Sequence, residues 1–331
     1  MHSQRLNTVT PIVAAIDVAG GDHGLAVAIP AVLHRLATVP ELQATLVGDQ
    51  RAITDMLESL APEQDLVGRI HIEHASETVS MADNPAQVVK AMADSSLRVA
   101  IQLAVEGAAD FCLSAGNTGA MVGLARRLGK RMPGVGKLAM CAELPTVGDT
   151  TVLLDVGATV DCTPVHLHQF GKMGSALACI MGCGREPSVR CLGSGHEESK
   201  GNAVVLAASK LLEADHSLYF QGLIEASDLH RGDCNVVVCD GFVGNVALKS
   251  SEGTARYIAE QLLSSADVCG ADLKMIDPAQ YNGAFLLGLQ TLVIKSHGGA
   301  GVEGTSAALH KGVTAVRNSL QRRLAQIVIE Q

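Results

Sequence analysis

With 331 residues, 47% of them hydrophobic, the chain can bury a substantial core without disulfides or a structural metal. A formal charge of -9 and an aromatic inventory of no Trp, three Tyr and five Phe argue against nucleic-acid binding, which needs basic surface and stacking platforms. Nine cysteines without paired CxxC spacing read as free thiols of a reducing compartment, not as a zinc site or a disulfide framework.

The first apolar run, Val9–Ile16, follows Arg5 in the manner of a signal peptide. Asp17 and Gly20-Gly21-Asp22 come directly after it, however, and mark it as a strand with its turn. No run approaches the ~18 apolar residues of a membrane-spanning helix, so a cytoplasmic protein is expected. Ala44–Val47 leads into Gly48-Asp49 and a helical pattern to about Leu60. Phe111–Leu113 leads into the small polar stretch Ser114–Ala120, and Thr151–Leu154 into Asp155-Val156-Gly157-Ala158. Val189–Leu192 precedes Gly193–Asn202, Asn235–Cys239 precedes Asp240–Asn245, and Leu292–Lys295 precedes Ser296-His297-Gly298-Gly299.

Apolar runs alternating with helices predict an α/β fold, a largely parallel sheet covered by helices on both faces. Ligands of such sheets sit beyond the carboxyl ends of the strands, so these polar turns are expected to converge on one rim. Residues 10–331 are expected to form a single α/β catalytic unit with two lobes around a cleft, after a short tail at 1–9.

Ser114-Ala115-Gly116-Asn117-Thr118-Gly119-Ala120 has the composition of an anion cradle. Gly116 and Gly119 clear bulk from backbone N–H groups, Ser114, Asn117 and Thr118 add side-chain donors, and a helix N-terminus follows. Ordinary helix capping by Asn117 or Thr118 is the competing reading. The chain has no GxxxxGK[ST], no GxGxxG after the first strand and no GxSxG, which sets aside a Walker-type kinase, a simple Rossmann dehydrogenase and a serine hydrolase. After Asp17, the Gly20-Gly21 turn exposes Asp22 and His23. His23 is either a proton-exchanging group oriented by a carboxylate or a bystander beside an Asp22 cap.

Asp240 and Asn245, with Lys249 a turn further on, read as a ligand contact, with a simple Asp240 cap as the alternative. Lys295, Ser296 and His297 place a cation, a hydroxyl and an imidazole at one strand end. Lys200, beside Gly201-Asn202, is another candidate phosphate partner, whereas Glu197 and Glu198 read as solvated loop. The cluster Arg126, Arg127, Lys130, Arg131 either complements the C-terminal dipole of its helix or attracts an acidic protein.

Asp17–His23, Ser95-Ser96, Ser114–Ala120, Leu153–Gly157 with Asp161-Cys162, and Met173–Ser175 form an ordered set. Glu197–Asn202, Val236–Asn245, Leu248-Lys249 with Glu252-Gly253, Tyr281–Ala284 and Lys295–Gly298 continue it. Together these motifs resemble the phosphate acyltransferase family of bacterial phospholipid synthesis, from about Ile12 to Glu330. The resemblance implies a fold related to phosphate acetyltransferases and isopropylmalate dehydrogenases, assembled as a homodimer and needing no cofactor or metal. It implies acyl-carrier protein as donor, inorganic phosphate as acceptor, and an acyl phosphate product that feeds a glycerol-3-phosphate acyltransferase. It also implies peripheral membrane contact, for which the apolar set in Tyr257–Val268 is a candidate, a dimer-interface helix being the equal alternative. Gly136-Lys137-Leu138 departs from the family's acidic-Arg-Pro run, and Lys137 keeps the charge without the bidentate fork of Arg.

The implied mechanism places phosphate in the cradle around Ser114, Asn117 and Thr118, supported by Lys200 or Lys295. A phosphate oxygen attacks the thioester carbonyl directly, and the protein positions two anionic partners and stabilises the tetrahedral oxyanion. Asn245 or His297 is expected at that oxyanion, and His23 or Asp22 at the phosphate. The expected catalytic set is therefore His23, Asn245 and His297. The binding set is Asp17, Asp22, Ser114, Gly116, Asn117, Thr118, Gly119, Lys200, Asp240, Lys249, Lys295 and Ser296. Rival readings are an acyl-CoA-dependent phosphate acetyl- or butyryltransferase, a decarboxylating dehydrogenase, and a non-catalytic phosphate-metabolite binding protein.

Overall fold

The computed structural model describes residues 10–263 and 277–330, so the tail at 1–9 and part of the Tyr257–Val268 set lie outside the described residues. The strands are β1 (Ile12–Asp17), β2 (Leu42–Gly48), β3 (Ile70–His74), β4 (Phe111–Ser114), β5 (Ala139–Leu144) and β6 (Thr151–Leu154). They continue with β7 (Ser188–Leu192), β8 (Tyr219–Ile224), β9 (Val236–Val238), β10 (Ala284–Leu287) and β11 (Leu292–Lys295). They form one sheet in the order β3-β2-β1-β4-β11-β10-β5-β6-β9-β7-β8.

Alternation within each strand sends its side chains to two separate cores. Ile12, Ala14 and Ile16 of β1, Phe111 and Leu113 of β4, Val152 and Leu154 of β6, and Leu292 and Ile294 of β11 face one way. On that side they meet α1 (Leu25–Thr38), α7 (Pro164–Met181), α8 (Ala203–Ala214), α10 (Val302–Arg317) and α11 (Leu320–Glu330). Ala15, Cys112, Leu153 and Val293 face the other way, against α5 (Ser96–Glu106) and α6 (Thr118–Leu128). The sheet is thus covered on both faces, as expected. Outside the sheet, α2 (Gln50–Leu60), α3 (Gln64–Val67) and α4 (Pro85–Ala91) fill the connections, and α9 (Gly241–Leu263) follows β9. Among the described residues no helix is long and apolar enough to cross a membrane.

Seven of the strand pairings are parallel. The three antiparallel ones, β11 with β10, β10 with β5, and β5 with β6, sit together in the middle of the sheet. Three reversals leave β6, β9, β7 and β8 pointing opposite to β3, β2, β1, β4 and β11. The one-rim expectation therefore holds for Asp17, Ser114 and Lys295 but not for Asp240 or Gly193–Asn202, whose strands open on the other side. β3, β5, β8 and β10 are the strands that the sequence pattern did not mark, and of these β5 and β10 are the ones that reverse the sheet. Twist of roughly 20–25° per strand turns β9 a further 100° or so relative to β4.

α9 spans this divide. It starts beside β9, where an added Cβ at Gly157 would lie 4.0 Å from Asn245 Cβ. At Ser251 it is tied across by His230, whose Nε2 bonds the Ser251 hydroxyl and whose Nδ1 bonds Pro145 O just beyond β5, both at 2.8 Å. Its 23 residues extend about 35 Å, so residues from 249 onward reach the rim on which β4 and β11 end.

Candidate active site

Ser114 sits between two neighbours in parallel register, Asp17 of β1 and Lys295 of β11. The Ser114 hydroxyl donates to Asp17 Oδ2 at 2.7 Å and accepts from Gly116 N at 2.9 Å. Ser296 N donates to Ser114 O, and Asp22 N donates to Gly298 O, each at 2.9 Å. Lys295 Nζ donates to Ala115 O at 3.0 Å and to Ser296 O. The turns after β1, β4 and β11 are thereby stitched into one unit. Gly20 makes the stitch possible, because a Cβ there would come within 2.8 Å of Gly116 N, and Gly21 takes a φ of +86° that L side chains resist.

The electrostatics of this unit are set by burial. Asp17 is 3% exposed, and burial pushes its carboxyl above the usual range against hydrogen bonds from Ser114, Ser96, Ala19 and Gly20. Its Oδ1 has no hydrogen-bond partner. Lys295 is brought down to about 8 by burial and then by Lys249, while Asp17 and Asp22 push the other way. His297 is lowered by burial and by Lys249, with Glu252 opposing. Its Nδ1 accepts from Gly299 N at 3.1 Å, which leaves the proton of the neutral ring on Nε2, 3.9 Å from Glu252 Oε2. Glu252 also pairs with Lys249 at 2.7 Å. A cavity of about 20 Å³, room for one water, is lined in part by Asp17, His23, Ser114, Ala115, Ser296 and Gly298.

Other expected site residues have different surroundings. Asn117 caps α6, accepting from Ala120 N at 3.0 Å, while its amide spans Ser80 O, Met81 O and Asp83 O at 3.4, 3.2 and 3.0 Å. Its side chain is thus already engaged in holding the helix start. Asp240 likewise caps α9 through Val243 N at 2.8 Å. Thr118 and Gly119 open α6, and a Cβ at Gly119 would meet the Pro85 ring at 2.6 Å. His23 and Asp22 are exposed at the turn after β1, and Asn245 is exposed a turn before Lys249 on α9. Lys200 is exposed in the β7–α8 loop, six strand positions from β4, or about 29 Å across the sheet. The structure joins Asp17, Asp22, Ser114, Gly116, Lys295, Ser296 and His297 directly, brings in Lys249, and leaves Lys200 apart.

Three residues without an assigned role prove central. Asn282 donates to Ser296 Oγ and to Gly304 O, both at 2.8 Å, and accepts from His297 N at 2.9 Å. It fixes the turn after β11 to α10. Ser96, buried at the start of α5, helps to hold the Asp17 carboxyl down against its burial, and Glu252 links α9 to His297. All three lie in motifs that carry the family resemblance, but a lone Asn, Ser or Glu gives no local sign of which turn it will brace. Asp155 is a fourth case. It accepts from the backbone N–H groups of Met140, Gly157, Ala158 and Thr159 at 2.5–3.0 Å, and burial nevertheless holds its carboxyl at about 6.

Comparison with known proteins points in one direction. The profile of the fatty acid synthesis protein family matches residues 12–323. A phosphate acyltransferase of Pseudomonas putida strain F1 is 43% identical over 326 residues, covering 94% of this chain and 96% of its own. One from Halorhodospira halophila is 42% identical over 324 residues, with 94% and 93% covered. Among solved structures, a phosphotransacetylase from Streptococcus pyogenes superposes with a TM-score of 0.63 at 18% identity, covering 95% of each chain. EutD phosphotransacetylase from Staphylococcus aureus gives 0.59 at 16%, over 93% of this chain and 94% of its own. At these identities the structural likeness speaks for the fold alone.

Proposed function

The chain belongs to the phosphate acyltransferase family, and from that membership we propose that phosphate and a carrier-bound acyl thioester meet where β1, β4 and β11 end. The enzyme is an acyltransferase that converts acyl-carrier-protein thioester and inorganic phosphate into acyl phosphate and free carrier protein. The observation that supports this location is the seating of Lys295. Its ammonium bridges the Ala115 and Ser296 carbonyls and so unites the small-residue turn with the cationic one.

Phosphate sits at the mouth of the small cavity, held by Lys295 and Lys249, with Ser114 lining the cavity and Gly116 N holding the Ser114 hydroxyl in place. Its oxygen is ionised near neutral pH, so it attacks the thioester carbonyl without a protein nucleophile. His297 presents Nε2–H to the carbonyl oxygen as negative charge develops, and Asn245 is the alternative donor further back along α9. His23 and Asp22 border the same turn and orient the phosphate. Asn117, Thr118, Gly119 and Asp240 keep α6 and α9 in place, and Lys200 serves a surface beyond this pocket.

A mass-spectrometric assay for acyl phosphate, with carrier-protein and coenzyme A thioesters offered in parallel, tests the reading. Product from the carrier donor supports it. Product from coenzyme A alone favours the acetyl- or butyryltransferase alternative, and phosphate binding without turnover favours a sensor.

The proposal extends to assembly. α9 exposes Phe242 (63%), Val246 (53%) and Tyr257 (63%), which suits a homodimer interface or peripheral contact with the inner face of the membrane. Acyl phosphate released there would pass to a glycerol-3-phosphate acyltransferase.

A further inference from the structure

The net reaction moves a proton. Hydrogen phosphate enters with one hydrogen, loses it as its oxygen bonds the acyl carbon, and the departing sulfur leaves as a thiolate that ends as a thiol. We propose that Lys295 carries this proton, giving one from Nζ to the departing sulfur and regaining one from the phosphate oxygen. The C–O bond forms, the C–S bond breaks, the sulfur gains a hydrogen and the phosphoryl group loses one, so lysine returns to its starting state without any co-reactant. This rests on the functional reading above and adds to it a donor for the leaving group.

The geometry of Lys295 is what assigns it the role. An ammonium has three hydrogens. Ala115 O and Ser296 O take two of them, which leaves one for a substrate. Both carbonyls belong to residues lining the small cavity, so the amine is anchored at the site. The side chain is only 9% exposed, which shields the exchange from bulk water. Lys249 on α9, Asp17 at the end of β1 and Asp22 in the turn beyond are the charged groups that act on it, and with burial they hold it at about 8. A thiol of the pantetheine kind titrates near 8.5, so donor and leaving group are matched. His297 is not free for this task, because its Nε2–H is the donor to the carbonyl oxygen and its Nδ1 is occupied by Gly299 N.

The test compares Lys295→Arg and Lys295→Met with the parent enzyme on two donors with the same acyl chain. One donor is the natural carrier-protein thioester, and the other is a thiophenyl ester whose thiol is far more acidic and leaves without protonation. Arginine keeps the positive charge but does not surrender its proton. If Lys295 is the donor, both variants lose on the order of 100-fold or more in acyl-phosphate formation from the carrier thioester. Most of the arginine variant's loss disappears with the thiophenyl ester, whereas the methionine variant, which also lacks the charge that holds phosphate, keeps part of its loss. Equal losses of the arginine variant on both donors, or its full activity on the natural thioester, would overturn the assignment and leave Lys295 as a phosphate-binding charge. Should neither variant fold, the parent enzyme decides by its pH profile: a descending limb near pH 8 on the carrier thioester that vanishes on the thiophenyl ester supports the role, and the same limb on both refutes it. Failure of the parent enzyme to use any carrier thioester would instead strike the functional reading itself.

Discussion

Replacing Asn282 with alanine tests how the turn after β11 is held. The side chain makes three hydrogen bonds, to Ser296 Oγ, Gly304 O and His297 N, and Ser296 is fully buried. Each bond contributes a net 0.5–1.5 kcal/mol, and stranding a buried partner adds desolvation, so Asn282→Ala should cost about 2–4 kcal/mol. Asn282→Asp is the sharper variant. It keeps the acceptor for His297 N but turns a donating amide into a carboxylate facing the Gly304 carbonyl. The folded state then favours the protonated acid, which raises that carboxyl above its unfolded value. The stability of Asn282→Asp should accordingly be greatest in acid and fall as pH rises through that raised value. Urea denaturation at pH 4.5 and pH 7.5 measures both effects, and acyl-phosphate formation follows the consequence for His297. A cost below 0.5 kcal/mol for the alanine variant, with no pH dependence in the aspartate variant, would refute the bracing role.

Gly312 on α10 lies against the Phe111 ring, which a Cβ would overlap, so Gly312→Ala should destabilise by about 1–3 kcal/mol in thermal or urea melts. Asn117→Ala removes the α6 cap and the clamp on residues 80–83. It should cost about 1 kcal/mol or somewhat more, with faster amide exchange in the first turn of α6 as the local sign. Asp155 is raised from 3.8 to about 6 on folding, so its contribution to stability is fully present below about pH 4 and is lost as pH rises to 6. The shift is worth roughly 3 kcal/mol, a slope that Asp155→Asn should abolish in denaturation curves taken across that range.

The sequence by itself determined the strands that carry the site and the family to which the chain belongs. Phe111–Ser114 and Leu292–Lys295 are short, strongly apolar and followed by glycine, so their local pattern suffices to mark a buried parallel strand and its polar turn. The clustering of Lys295, Ser296 and His297 was legible for the same reason, since neighbours in sequence at a strand end are neighbours in space. Only the tertiary structure decided which clusters meet. A strand's direction is fixed by the strands it pairs with, and β5 and β10 reverse the sheet through contacts with partners far along the chain. That reversal moved Lys200 away, while α9 brought Lys249 and Glu252 to His297. It took the same long-range packing to give Asn282 its three partners and to desolvate Lys295, because burial and bracing belong to surroundings that no single stretch of sequence contains.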